Sequence, residues 1–278
     1  MNRLMQLSRL AALVLVASLL LAGCTLGPTE TREDRFTVAG PVRLVVDSQN
    51  GRIEVQAGRD DEVHVQATLR RAGRLDYEVR QEGDTITVTS RKTRRVVFGI
   101  GPGTDLVITV PTNTVVDLDT SNGRIELTGI HGSGSLDTSN GSLVLADVVG
   151  DFVGDTSNGS ITIETMEGSA RLSTSNSRVD VRDAVGEFDI ESSNGRITFS
   201  GELLPGGRNR LESSNGRVEV ELQGIPSVTL DASTSHGDVS SELPILITVM
   251  KDKELTGTIG NGEADLLIRT SNGDITIR

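Results

Sequence analysis

An all-β chain wound as a parallel β-solenoid (β-helix), with rungs of 18 to 21 residues and a less regular β N-terminal part, is expected from three features of this sequence. The turn Ser-Asn-Gly recurs at a constant interval, with Asn122, Asn140, Asn158, Asn176 and Asn194 each 18 positions after the last. Apolar side chains follow every turn at fixed offsets, and no stretch after residue 23 carries helical periodicity. A unit this short cannot bury its own apolar face, so copies must stack and share one core that runs through the stack.

Taken from the N-terminus, residues 1–23 read as a secretory signal. Arg3 and Arg9 precede an apolar run from Leu10 to Leu21, too short for the roughly 20 residues that span a bilayer. Leu21-Ala22-Gly23-Cys24 resembles the lipobox of bacterial lipoproteins, in which cleavage precedes a cysteine that is then lipidated. Cys24 is the only cysteine, so it makes no intramolecular disulfide and lipidation gives it a role. Thr25 rather than Asp follows it, which in that class points to the outer membrane where the cell has one. Residues 24–35 lack apolar periodicity and read as a tether.

Residues 36–111 read as irregular β structure. Gln49-Asn50-Gly51 with Ile53 and Val55 looks like a first, isolated copy of the repeat, and strand-like runs follow at Val63–Leu69, Tyr77–Arg80, Thr85–Thr89 and Asp105–Val110. Residues 112–278 are the regular array. One apolar column reads Ile125, Leu143, Ile161, Val179, Ile197, Val218, Val239, Ile275, and a second Leu127, Leu145, Ile163, Val181, Phe199, Val220. The members of each pair lie two positions apart and so share one strand face. Gly132, Gly150, Gly168 and Gly186 read as a second column of turns. The interval lengthens in later copies, from Asn194 to Asn215 and again to His236, with Pro205-Gly206-Gly207 as the surplus. In chain order the turn ladder runs on through Asn215 and His236 to a terminal Asn272.

An antiparallel meander with Asn-Gly as type I′ hairpin turns also fits this pattern. Ser177 argues against it, because a I′ turn forces that serine to positive φ at a cost of about 1 kcal/mol. Glu212 would also face Glu219 across such a hairpin, an unfavourable like-charge pair.

The recurring Ser-Asn-Gly-x-Ile-x-Val resembles the bacterial putative-adhesin domains of unknown function. The likeness extends from Asn50-Gly51-Arg52-Ile53-Glu54-Val55, through Leu106-Val107-Ile108-Thr109-Val110-Pro111, to Thr270-Ser271-Asn272-Gly273-Asp274-Ile275. It implies a β-solenoid cell-surface or envelope-stress protein without a recognised catalytic motif, and supplies no catalytic residue. Ser177 and His236 depart from the motif.

Composition narrows the function further. Removing residues 1–23 takes Arg3 and Arg9 from the 27 Lys+Arg and leaves 25 against 39 Asp+Glu, a surface that excludes nucleic acid as a partner. His64, His131 and His236 are the only histidines, and none has a second ligand at zinc spacing. Ser235-His236-Asp238 holds hydrolase residue types without a fixed geometry, and Gly99-Ile100-Gly101-Pro102-Gly103 lacks the Lys-Ser/Thr of a phosphate loop. Asp119, Asp137 and Asp155 form an acid column that could take Ca²⁺, although the spacing is not that of a calcium repeat. Arg70, Arg71, Arg74, Arg91, Lys92, Arg94 and Arg95 form a cationic cluster suited to lipid phosphates or an anionic glycan. The expected protein is a non-enzymatic, exported and lipid-anchored component of the cell envelope, on the outer membrane or periplasmic face, that contacts envelope glycan, lipid or protein. The alternative is a carbohydrate-active β-helix enzyme, a polysaccharide lyase or hydrolase. Such an enzyme needs paired carboxylates in a groove, and sugar-stacking aromatics are scarce here, with one tyrosine (Tyr77) and no tryptophan.

Overall fold

A computed structural model of the chain describes residues 28–93 and 101–278. Those residues form one continuous β ladder with no α-helix; a 3-10 turn at Ala72–Arg74 is the sole helical element among them. Arg94, Arg95, Gly99, Ile100 and Cys24, with its signal, lie outside the described residues.

A typical rung contributes to two parallel sheets. The strand before Ser-Asn-Gly belongs to one and the strand after it to the other, and aliphatic side chains from both fill the space between. Leu118, Leu136, Leu172 and Ile190 point in from the first sheet, and Ile125, Leu143, Ile161 and Val179 from the second, all fully buried. Phe188 and Phe199 meet across this core with ring centroids 5.0 Å apart and planes tilted by 59°. Large and small residues alternate along the stack where Gly134, Phe152, Ala170 and Phe188 follow one another in register. This is how a column of equal-height rungs accommodates rings without voids.

The two sheets join at two kinds of corner. One is Ser-Asn-Gly. The other interrupts the long strands Leu143–Thr156, Ile161–Thr174 and Val179–Ser192, where Asp147, Thr165 and Asp183 adopt positive φ of 53°, 64° and 49°. The column Gly132, Gly150, Gly168, Gly186 is therefore not a set of turns. It lies just past that corner, in strand, where Gly150, Gly168 and Gly186 have φ of 127°, 132° and 155° and stay in parallel register. Glycine is needed because the backbone bends out of this left-handed corner, not because the chain reverses there.

Chain order and spatial order agree only in the middle of the stack. Parallel pairing places the strands 85–92 and 103–110 first, then the rungs of Asn50, Asn122, Asn140, Asn158, Asn176, Asn194, Asn215, Asn272 and last His236. Asn50 is thus no isolated copy; it sits directly beside Asn122. The C-terminal strands Ala264–Thr270 and Ile275–Ile277 slide between the Asn215 and His236 rungs. Asn272 is correspondingly not the end of the stack.

Antiparallel strands close both ends. Thr29–Thr37 pairs with Glu62–Arg70 and Leu75–Glu82 with Thr85–Lys92 at one end, and the hairpin Leu246–Lys251 with Glu254–Ile259 covers the other. The tether expected over 24–35 therefore gives way to strand at Thr29. Its residues alternate in charge rather than in hydrophobicity, as suits an edge that must not recruit another chain. The irregular part expected over 36–111 likewise contains true rungs. The surplus of the longer copies is handled by Asn209, a buried side chain that accepts a hydrogen bond from the Phe188 N–H at 2.9 Å and donates to the Asp265 carbonyl at 3.2 Å. It stands in for backbone pairing where residues 203–207 leave the stack.

Candidate functional site

Along the Ser-Asn-Gly edge the asparagines form one continuous hydrogen-bonded row. Asn122 donates its Nδ2 to the Asn50 Oδ1, Asn140 to Asn122, Asn158 to Asn140, Asn176 to Asn158, Asn194 to Asn176, Asn215 to Asn194 and Asn272 to Asn215, at 2.6 to 3.0 Å. Asn50 ends the row by donating to the Pro102 carbonyl. His236 fills the last turn but does not extend the amide row, since its Nδ1 faces the Ser271 carbonyl at 3.2 Å. All amide dipoles in the row point the same way, so each bond polarises the next.

A second row runs beside the first, unanticipated although its signal is in the sequence. Two residues before each Asn from Asn140 onward, and before His236, stands a buried Thr or Ser, at Thr138, Thr156, Thr174, Ser192, Ser213, Thr270 and Thr234; Ser48 and Thr120 hold the same position before Asn50 and Asn122, but their hydroxyls are unpaired. Each hydroxyl from Thr138 onward donates to the carbonyl of the glycine column of the neighbouring rung at 2.8 to 3.2 Å, with Ser177 standing in that column once. Most also accept from the glycine N–H of their own turn. The turn glycines are required by close approach: a Cβ on Gly159 would lie 1.6 Å from the Gly141 carbonyl oxygen. Ser177 keeps φ out of the left-handed region and its Oγ donates to the Asn158 carbonyl at 3.1 Å, so the departure from Gly is absorbed without a hairpin. The residues of the motif are accordingly occupied with one another. Asn158→Ala is expected to lower stability by roughly 1–3 kcal/mol, because it removes the bonds donated to Asn140 and, at 3.4 Å, to the Ser139 carbonyl, and the one accepted from Asn176. Asn272→Ala removes only the bond to Asn215 and should cost about half as much, which paired thermal melts would measure; equal losses would mean the row contributes nothing beyond each turn.

Asp119, Asp137 and Asp155 do stack in register, and Asp47 joins them. Asp117 flanks the row, accepting from the Ser135 Oγ at 3.2 Å, and Asp47 is held by Arg91. They run along the sheet and do not converge: among the described residues no three Asp, Glu, His or Cys side chains surround a position that could hold a cation. Partial burial, and then Asp47 and Asp117, push the Asp119 carboxyl above the ordinary carboxylate range. Burial, and then Asp155, Asp119 and Asp117, do the same to Asp137. A carboxyl that holds its proton more tightly when folded stabilises the fold below its ordinary value, and that contribution disappears as pH rises through the raised value. Asp137→Asn keeps the neutral shape, so its melting temperature should gain on the wild type as pH rises from about 4 through the raised value. Parallel pH profiles for the two would show that the column is uncoupled.

The histidines remain apart: His64 meets Glu33 on the antiparallel cap, while His131 and His236 sit on different rungs. Of the cationic cluster, Arg70 pairs with Asp105 and Arg91 with Asp47. Two arginines remote from that cluster in sequence join its described members in space. Arg52 and Arg124 follow Gly51 and Gly123 on adjacent rungs, and with Arg70, Lys92 and Asp105 they line an open cavity of about 590 Å³ at the first turns of the stack.

No curated protein matches the chain. Among solved structures, a putative adhesin from Bacteroides fragilis is similar over 90% of this chain and 97% of its own, with 12% identity and a TM-score of 0.39. A putative adhesin from Parabacteroides distasonis covers 91% of this chain and 98% of its own at 11% identity and a TM-score of 0.38. A putative lipid binding protein from the same species covers 91% and 97% at 10% identity and a TM-score of 0.30. The family model described as Toastrack DUF4097 matches residues 42–278, which takes in every rung of the stack, and the chain belongs to that family.

Proposed function

We propose that this protein is a non-enzymatic, lipid-anchored component of the cell envelope whose stacked faces serve adhesion to, or contact with, other envelope material. One observation carries the reading. Rows of like side chains recur at the rung spacing, about 4.8 Å, along an unbroken stack. Arg178, Arg196 and Arg217, for example, stand exposed on three successive rungs. Such a surface offers many equivalent weak contacts, which gain by avidity, rather than one convergent set of reacting groups. Attachment rests on Leu21-Ala22-Gly23-Cys24.

Two measurements test the proposal. After a high-salt wash that strips electrostatic binding, Cys24→Ser should be found in the soluble exported fraction while the wild type stays on the membrane; a variant that still stays membrane-bound at wild-type abundance would remove the anchor. Purified chain should be retained saturably on envelope fragments without releasing new reducing ends or unsaturated sugars. Release of either would overturn the reading in favour of a carbohydrate-active β-helix.

A further inference from the structure

The cavity at the Asn50 and Asn122 turns stands out in this acidic chain for its cluster of cationic side chains. Four cationic side chains, Arg52, Arg70, Lys92 and Arg124, line it against one carboxylate, Asp105, in a protein of net charge −12. The carboxylate is already used, since Arg70 binds one of its oxygens and the Arg52 backbone N–H donates to the other at 3.0 Å. Arg52 and Arg124 each reach a glutamate of their own strand, Glu54 at 3.1 Å and Glu126 at 3.2 Å. Their side chains nevertheless remain about half exposed, at 51% and 47%. Lys92 makes no ion pair among the described residues.

The arrangement suits an oxyanion. Arg52 and Arg124 sit at equivalent positions on adjacent rungs, so two guanidinium-bearing side chains leave the stack one strand spacing apart at the backbone and line the same cavity, a pair of forked N–H donors suited to sharing the oxygens of a phosphate. Both follow turn glycines, Gly51 and Gly123, which leave the cavity floor as bare backbone. Position in the chain narrows the source of that oxyanion. Thr29 is in register with Arg70, and the Ala72 N–H donates to the Pro28 carbonyl at 3.3 Å, so the chain emerges from the fold beside the cavity. Cys24 lies only a short way back from Pro28, within about 14 Å even if the chain between them is fully extended. On the lipid-anchor reading proposed above, the cavity is held within reach of the bilayer surface.

We infer that Arg52, Arg124 and Lys92, with Arg70 at the rim, form a site for the phosphate headgroup of a membrane lipid, which seats the anchored end of the solenoid on the bilayer. The bound headgroup would draw an otherwise negative protein to an anionic membrane at this end and leave the remaining rungs projecting away from it. Electrostatic binding of this kind weakens with salt, because exposed charges are screened within about 10 Å at 0.1 M ionic strength.

The test uses the exported Cys24→Ser chain, which has no lipid acceptor, so that failure of the anchor and failure of the site are separate results. Cosedimentation with vesicles of phosphatidylglycerol and phosphatidylcholine is expected, with little binding to phosphatidylcholine alone. Replacing Arg52, Arg124 and Lys92 together by Gln should weaken vesicle binding about tenfold or more, while the same change at the exposed Arg208, Lys251 and Lys253 should leave it unaltered. Lys92→Gln alone, which breaks no ion pair, should weaken it by a smaller factor and guards against misfolding of the triple variant. Equal weakening by both triple variants, or no preference for anionic vesicles, would overturn the site. Displacement by millimolar inorganic phosphate together with equal affinity for free phosphate and vesicles would overturn the lipid as its source.

Discussion

A chain ending at Glu263 is expected to lose its last rungs altogether. In spatial order the strands 264–270 and 275–277 are the bridge between the Asn215 and His236 rungs, not an appendage at the tip. Leu266, Ile268, Ile275 and Ile277 are buried there, and at about 1.5–3 kcal/mol each their burial contributes roughly 6–12 kcal/mol before the entropy of ordering is set against it. Such a gross term is comparable with the whole stability of a domain. Without the bridge, the strand Val228–Thr234 keeps only its antiparallel partner 254–259 and has no rung to stack on. Hydrogen exchange should then show residues 228–259 exchanging as an unfolded segment, with protection retained through the Asn122 to Asn194 rungs. A truncated chain with native protection over 228–259 would show that the His236 rung can dock directly on the Asn215 rung.

The second large effect is expected at a single atom. Gly168 has φ of 132°, and a Cβ placed there would lie 2.1 Å from the Gly150 carbonyl oxygen of the adjacent rung. Alanine is therefore strained by its own backbone and collides with a backbone atom that is itself fixed in the ladder. Gly168→Ala should destabilise by about 3 kcal/mol. The neighbouring corner offers a contrast of opposite sign. Thr165 is exposed and β-branched at φ 64°, a conformation that asparagine tolerates far better, so Thr165→Asn should stabilise by about 0.5–1 kcal/mol. Denaturant melts of both variants measure the pair. A neutral Gly168→Ala would mean that the rung shifts to admit a Cβ.

Much of this molecule can be read from its sequence because one column of the sequence is one column of the structure. The constant period places Ile125, Leu143, Ile161 and Val179 in register, and the same arithmetic aligns the asparagines and the acid row. The buried Thr and Ser row was equally available from the sequence, as a Thr or Ser two residues before each Asn. The glycines at 132, 150, 168 and 186 could be located but not interpreted, since an out-of-strand turn and a bend inside a strand call for the same residue. The cationic cavity was only half visible: Arg70 and Lys92 belong to a recognisable cluster, whereas Arg52 and Arg124 lie in different repeats and meet them only once the Asn50 rung is placed beside the Asn122 rung.

The sequence by itself determined the repeating unit, the direction of its apolar face and the identity of the side chains that bond from rung to rung, because these depend on spacing alone. The order of the rungs at the two ends was decided only by the tertiary structure. Every rung presents nearly the same Asn, Gly and aliphatic pattern to its neighbours, so local interactions scarcely distinguish one stacking order from another. What selects the order is long-range: antiparallel strands at 29–37 with 62–70 and at 246–251 with 254–259 cap the outermost rungs. Capping leaves the rung of Asn50 at one end and of Asn272 at the other to pack inside, where both of their faces are covered.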